Sequence, residues 1–176
     1  MVSRFLVRAV DDPSDDEARA NMLLAASYAG VGFGNAGVHL PHAMSYPVAG
    51  HVKNYVPPGY PTDYPLVPHG LSVILNAPAV FRFTAAASPA RHLEAAEALG
   101  VDVSRARPED AGKILADRIT WVMQRLNVPN GLREVGYTSS DIPALVEGTV
   151  LQQRLRRLSP RPAAAEDLSA MFEQAL

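Results

Sequence analysis

Histidines are the residues whose chemistry and spacing first suggest a site in this chain. His39 and His42 stand three residues apart in "GVHLPHAMSY", so on one helix they can share a face. His69 follows a proline-rich stretch and would open the next helix. A neutral imidazole that faces another across two helices is a credible pair of ligands for a divalent metal ion.

Two or three histidines do not complete such a site, because a divalent metal in a protein takes about four ligands or more. A helix can supply two of them as Asp-x-x-x-His, but no aspartate in this chain has a histidine four positions later. We expect His92 to be exposed at a helix start and His51 to lie at a loop entrance. Spacing alone leaves two readings open, a metal site or ordinary core and surface histidines.

A glycine pattern precedes the first histidines. Gly32, Gly34 and Gly37 match G-x-G-x-x-G, the dinucleotide-binding fingerprint, which needs a strand before it and an acidic residue about 20 positions later. The preceding "ARANMLLAASYAG" is typical of a helix, and residues 51–55 contain no acid. We therefore interpret these glycines as a close-packed turn where one helix stops and the next begins.

The elements that must position these residues are predicted to be helices. Ser14 is a candidate N-cap of a helix that ends at Gly30, and a second helix would begin at Asn35. Residues 52–68 are predicted to be a loop because prolines are frequent there. Further helices are predicted within 69–86 (interrupted near Pro78), 88–100, 107–127, 138–150 and 163–176. No run alternates like a strand, so we predict one all-α domain, a helical bundle over residues 1–176.

The composition is that of a globular protein, with 48% hydrophobic and 19% charged residues. A net charge of -2 argues against nucleic-acid binding, and the absence of cysteine excludes disulfides and thiolate metal sites. The N-terminal stretch turns acidic too early for a signal peptide. No stretch approaches the roughly 20 apolar residues of a membrane span. We predict a soluble, cytoplasmic protein with no nucleic-acid or membrane partner.

The stretches "GFGNAGVHLPHAMSYPVAG" and "YPLVPHGLSVILNAPAVFRF" resemble the iron-containing alcohol dehydrogenase family, and within it the hydroxyacid–oxoacid transhydrogenase branch. The resemblance extends over essentially the whole chain. It implies the C-terminal helical, metal-binding domain of the family, with the N-terminal α/β domain that binds NAD(P) absent from this chain. It also implies a small alcohol or hydroxyacid substrate, such as 4-hydroxybutyrate in the transhydrogenase branch.

The resemblance implies specific site residues in this sequence. The two later metal ligands of the family fall on His42 and His69, while its Asp-x-x-x-His pair would lie upstream of Met1. The expected metal is iron, with zinc as the alternative. Tyr46 stands where many relatives have a second histidine, and we predict that it orients the substrate. Gly34 and Asn35 are predicted to contact the cofactor at the glycine-rich turn.

Two hypotheses follow from an incomplete ligand set. In the first, the chain is the metal-binding half of a dehydrogenase, inactive or weakly active by itself, that needs a separate nucleotide-binding domain or chain. We do not expect it to bind NAD(P) alone. In the second, it is a helical remnant or interaction module without enzymatic activity. In both, a surface normally covered by the nucleotide domain predicts a homo-oligomer.

Overall fold

A computed structural model describes all residues, Met1–Leu176, as ten α-helices joined by loops and short 3₁₀ turns, with no β-strand. The predicted all-α class is confirmed. The helices are α1 (Val2–Asp11), α2 (Asp16–Ala36), α3 (Leu40–Gly50), α4 (His69–Ile74), α5 (Ala77–Thr84), α6 (Pro89–Ala98), α7 (Ala111–Arg125), α8 (Ile142–Val150), α9 (Gln153–Arg156) and α10 (Ala165–Ala175).

The core lies among α3, α5, α7, α8 and α10, whose apolar residues form one buried cluster. Two glycines allow the closest helix contacts. A β-carbon on Gly112 of α7 would stand 2.9 Å from the Ala85 side chain and 3.0 Å from the Arg82 backbone. A β-carbon on Gly148 of α8 would stand 2.7 Å from the Pro47 side chain of α3. These contacts are too short for any other residue, so α5–α7 and α3–α8 depend on glycine at the crossing.

α2 leaves the body of the bundle. It packs mainly against α1, and Ala18 near its start is its one buried residue. Residues 21–36 contain no charged side chain, yet Leu23, Tyr28 and Val31 are 74%, 61% and 65% exposed. A helix that is apolar around its circumference is normally buried. Residues 21–36 of α2 therefore form an exposed, uncharged and largely apolar surface.

The limits of α2 differ from the sequence prediction. Asp15 is the N-cap, because its carboxylate accepts the backbone N–H of Ala18 at 2.9 Å, whereas Ser14 bonds the Asp12 carboxylate. Gly30 lies inside the helix and does not end it. Nothing at Gly30 requires a special backbone conformation, so the apolar helix continues.

The helix ends instead at Gly37, with φ 76° and ψ −172°, a conformation that only glycine adopts without strain. The predicted start of the second helix at Asn35 is wrong for this reason, because Asn35 belongs to the last turn of α2. α3 begins at Leu40, with His39 as its N-cap and Pro41 in its first turn.

Most of the remaining predicted helices are present. Pro78 lies in the first turn of α5, which begins at Ala77 after the break that follows α4, and Pro89 begins α6 after Ser88. Residue Leu99, rather than the predicted Gly100, is the C-cap of α6. α1 was not predicted, since we interpreted its sequence only for targeting signals. Residues 52–68 contain turns and bends but no helix.

One stretch, His69–Ala87, has the length and apolar composition to cross a membrane, with a mean hydropathy of 1.3. The expectation that no stretch reaches this composition is therefore wrong. The stretch consists of α4, α5 and the following 3₁₀ turn, and 44% of it is buried inside the bundle. Part of this stretch is apolar because it packs in the core, where Leu75 and Val80 are almost fully buried.

A buried tyrosine fixes the end of α3. The Tyr137 hydroxyl donates a hydrogen bond of 2.5 Å to the Val48 carbonyl, and the side chain is 2% exposed. Burial, and to a lesser extent the nearby Asp141 carboxylate, raises the pKa of Tyr137 to about 12. The helix that carries His42 is thereby tied to the loop before α8.

Replacing Gly37 with alanine is expected to destabilise the fold by about 1–3 kcal/mol, because the backbone conformation excludes a β-carbon. The new methyl group would also collide with the Leu158 side chain. Gly32→Ala is the matched control, since Gly32 is helical with nothing within 4 Å of a β-carbon. The control is expected to be neutral or up to about 1 kcal/mol more stable. Urea unfolding followed by circular dichroism measures both, and equal losses would contradict this assignment of Gly37.

Titration of Tyr137 is expected to limit stability at high pH. An unfolded tyrosine has a pKa of about 10, so the folded state favours the neutral phenol. Its contribution is complete below pH 10 and disappears as the pH rises from about 10 to 12, a loss of roughly 2–3 kcal/mol. Tyr137→Phe is expected to remove this part of the pH slope and to cost about 1–2 kcal/mol at neutral pH. Tyr64→Phe, at a tyrosine that is 62% exposed, is the control. A slope unchanged in Tyr137→Phe would refute the assignment.

Candidate functional site

His42 and His69 lie opposite each other where α3 meets α4. His42 is in the first turn of α3 and His69 is the first residue of α4. Their ring centroids are 5.4 Å apart with an interplanar angle of 60°. Two imidazoles on one tetrahedral metal, with nitrogens at about 2.1 Å, would have centroids roughly 5 Å apart. The spacing of this pair fits a shared metal ion.

The electrostatics of the pair also suit a metal. Burial, and secondarily the neighbouring His69, lowers the pKa of His42 below its ordinary value. A lowered pKa keeps the His42 imidazole neutral at physiological pH. A neutral imidazole has a free lone pair, which is the form that ligates metal ions.

Tyr46 lies one helical turn after His42 on the same side of α3. Its ring centroid is 6.3 Å from that of His69, and 46% of its surface is exposed. The phenol therefore stands at the edge of the histidine pair rather than in the core. The predicted substrate-orienting role of Tyr46 remains a proposal that this position allows.

These side chains share one cavity of about 610 Å³. Its lining comprises Phe33, Gly34, Gly37, Val38, His42, Tyr46, His69, Arg154, Leu155 and Leu158. The end of α2 thus forms one wall, and Gly34 lies on it. Asn35 does not line the cavity, because its side-chain amide donates to the Val31 carbonyl of its own helix at 2.8 Å. Of the two predicted cofactor contacts, the structure brings only Gly34 to the histidines.

The ligand set within the chain is incomplete. No group of three or more His, Cys, Asp or Glu side chains lies together in residues 1–176. The cavity itself contains no carboxylate. The two histidines match the donor type and the spacing for a metal, but they supply only half of the usual four ligands.

The remaining histidines lie outside the cavity. His51 is the exposed residue at the end of α3, at the entrance to the 52–68 loop, as predicted. His39 does not join His42 in the cavity, because its ring lies 6.3 Å from the ring of Phe81 in the neighbouring helix α5. His92 is not exposed but 93% buried, and its ring nitrogens are 2.9 Å from the Thr84 hydroxyl and 2.8 Å from the Ser88 carbonyl. Two hydrogen bonds make burial of this imidazole acceptable.

Sequence reasoning missed five residues of the cavity, namely Phe33, Val38, Arg154, Leu155 and Leu158. Phe33 and Leu158 form apolar parts of its wall, and Arg154 is its one cationic side chain apart from the histidines. Arg154 stands in "QQRLRR", where nothing distinguishes it from the arginines that follow. Only the path of the chain from α8 into α9 brings it beside His42.

Comparison with known proteins is consistent with this geometry. The whole chain, residues 1–176, matches the C-terminal domain of the Fe-containing alcohol dehydrogenase family. It is 58% identical over its full length to a mitochondrial hydroxyacid-oxoacid transhydrogenase of Xenopus laevis and 54% identical to the one of Homo sapiens, in each case over 38% of the relative's length. The crystal structure of a 1,3-propanediol oxidoreductase superposes with a TM-score of 0.86 at 26% identity, covering 99% of this chain and 42% of the other.

Two consequences follow directly. The predicted oxidoreductase family is confirmed, since the relatives are transhydrogenases and alcohol dehydrogenases. The predicted cytoplasmic location is wrong, because the transhydrogenase relatives are described as mitochondrial.

The chain spans well under half the length of these relatives, and the family's full-length members use a metal and NAD(P). Helical architecture, a paired-histidine cavity and a match over every residue lead to one assignment. The chain belongs to the Fe-containing alcohol dehydrogenase family, of which it forms the C-terminal helical domain.

Proposed function

We propose that this chain is the metal-binding half of an iron-containing, NAD(P)-linked dehydrogenase that acts on small alcohols or hydroxyacids. The observation that carries the proposal is the His42–His69 pair, 5.4 Å apart in one cavity. The transhydrogenase relatives favour a hydroxyacid as the substrate.

Each residue of the cavity has a role in this proposal. His42 and His69 hold the metal, iron or zinc, through their imidazole nitrogens. When bound, the metal supplies Lewis-acid polarisation of the substrate oxygen, and NAD(P) supplies the hydride exchange. Tyr46 orients an oxygen of the substrate through its hydroxyl. Phe33 and Leu158 form apolar parts of the cavity wall, against which the carbon chain of the substrate packs.

The isolated chain is expected to be inactive or weakly active. It contributes two ligands, and the relatives are more than twice its length. The missing ligands and the nucleotide-binding domain must come from a further polypeptide segment or a separate chain. Without them the substrate, hydride carrier and metal are not held in the geometry that the reaction requires.

A second role is favoured by α2. Residues 21–36 of α2 include the exposed Leu23, Leu24, Tyr28, Val31 and Phe33, and no charged residue lies among them. In a complete enzyme this face would be covered by the rest of the polypeptide. In the isolated chain this face would be buried against the same face of a second copy. The alternative function is therefore a non-enzymatic, self-associating module.

Metal binding tests the principal proposal. Calorimetric titration with Zn(II), and with Fe(II) under anaerobic conditions, is expected to give weak binding by the wild-type chain. His42→Ala and His69→Ala are each expected to weaken it at least about tenfold, a change of about 1.4 kcal/mol. His51→Ala, at the exposed end of α3, is the control and should have no effect.

Loss of binding in His51→Ala equal to that in the other two variants, or no binding by the wild type, would overturn the metal assignment. The same preparations are assayed for NAD-linked oxidation of 4-hydroxybutyrate. We expect no turnover by the chain alone. Clear turnover would show that the chain contains every metal ligand that the reaction needs.

Self-association is tested by light scattering at micromolar concentration. The wild type is expected to form dimers or larger species. Val31→Lys is expected to shift it toward monomer, because a lysine would have to be desolvated in the contact. Leu151→Lys, at a residue 74% exposed outside α2, is the matched control. A wild-type chain that stays monomeric contradicts the role of α2 in self-association.

A further inference from the structure

The histidine cavity contains one permanent charge. Arg154 in α9 lines the cavity together with His42, Tyr46 and His69, and no carboxylate lies on its walls. Arg154 takes part in none of the ion pairs of the chain. A guanidinium is charged at every physiological pH. The cavity therefore presents a positive charge without an internal partner.

The neighbouring arginines have other positions. Arg156 donates to the Val150 carbonyl at 3.0 Å and to the Ala163 carbonyl at 2.9 Å, so it holds the chain around α9. Arg156 and Arg157 line a different cavity. Of these three arginines, only Arg154 lines the cavity of the histidines. Its function is therefore separable by substitution from those of the residues beside it.

α9 holds Arg154 in a defined place. Leu155, the next residue, is 4% exposed, and α9 packs directly on α3. The helix that carries His42 and Tyr46 thus also supports the segment that carries Arg154. Apolar side chains, Phe33 and Leu158, complete the lining of the cavity.

We propose that Arg154 is the binding residue for the carboxylate of a hydroxyacid substrate, with the hydroxyl end of that substrate directed toward His42 and His69. This inference rests on the proposed function and names the substrate group that the cavity selects. A guanidinium matches a carboxylate through two parallel hydrogen bonds, and charge-assisted pairs of this kind are the strongest of their class. The apolar lining would contact the carbon chain between the two polar ends. A volume of about 610 Å³ is ample for such a ligand.

The arrangement also explains how the cavity would distinguish hydroxyacids from neutral alcohols. A neutral alcohol of the same length offers Arg154 no charge-assisted hydrogen bond, and the exposed guanidinium then stays hydrated. The carboxylate of a hydroxyacid adds that pairing to the same apolar contacts. Arg154 is therefore expected to favour hydroxyacids over plain alcohols.

The test compares two ligands that differ at one end. 4-Hydroxybutyrate and 1,4-butanediol share a four-carbon chain, and only the first has a carboxylate. Each is titrated into the 176-residue chain, with and without Zn(II), and binding is followed by amide chemical shifts. We expect the wild type to bind the acid at least tenfold more tightly than the diol. Arg154→Gln is expected to abolish that preference, and Arg154→Lys to retain part of it.

Arg157→Gln is the matched control and should keep the wild-type preference. Arg154→Gln is expected to fold, because the wild-type side chain is exposed and has no ion pair. Thermal unfolding verifies this. Inorganic phosphate is titrated as well, because a cofactor phosphate is the other anion that an arginine could bind. Tighter binding of phosphate than of 4-hydroxybutyrate at Arg154 would overturn the carboxylate assignment. A wild type that binds acid and diol equally, or not at all, would also overturn it.

Zn(II) affinity separates this inference from the proposed function. Arg154→Gln should bind Zn(II) like the wild type. An acid preference that depends on Arg154 in a chain that binds no metal would refute the metal site and support the carboxylate site. Normal metal binding with an acid preference unaffected by Arg154→Gln would refute the carboxylate site alone.

Discussion

The close packing of α3 is the constraint on which the rest of the structure depends. Seven of its eleven residues are buried, and α8 approaches it so closely that Gly148 has no room for a β-carbon against Pro47. The Tyr137 hydroxyl holds its far end through the Val48 carbonyl. Because α3 cannot rotate without disrupting this packing, the minority of its side chains outside the core have fixed directions. His42 and Tyr46, one turn apart, are delivered to the same cavity.

In the proposed enzyme, the histidine cavity and the exposed surface of α2 would both contact the same further part of the polypeptide. The cavity has two imidazoles, one guanidinium outside the ion pairs of the chain and no carboxylate, and under the proposed function it would take further metal ligands and an anionic substrate. α2 forms a wall of that cavity and exposes an uncharged helix next to it. In the proposed enzyme, the further polypeptide that makes the relatives more than twice as long would complete the cavity and cover the helix.

The sequence predicts a helix boundary well where a single nearby residue, such as a proline, determines it. Pro78 lies in the first turn of α5 and Pro89 begins α6, as is typical of proline at the start of a helix. The α2–α3 boundary was misplaced, because several glycines compete and only Gly37 has a backbone that requires glycine. His92 was assigned to the surface, and its burial depends on hydrogen bonds to Thr84 and Ser88 that become evident only once α5 and α6 pack.

The amino-acid sequence by itself determined the all-helical class, the family and the pair His42 and His69, because composition, periodicity and the residues around the histidines are properties of the chain read in order. The tertiary structure decided which residues meet. It separated His39 from His42, excluded the Asn35 side chain from the cavity and brought Arg154 there from more than a hundred positions away. Such contacts arise from how helices pack, and packing depends on the shapes of surfaces that no local pattern encodes.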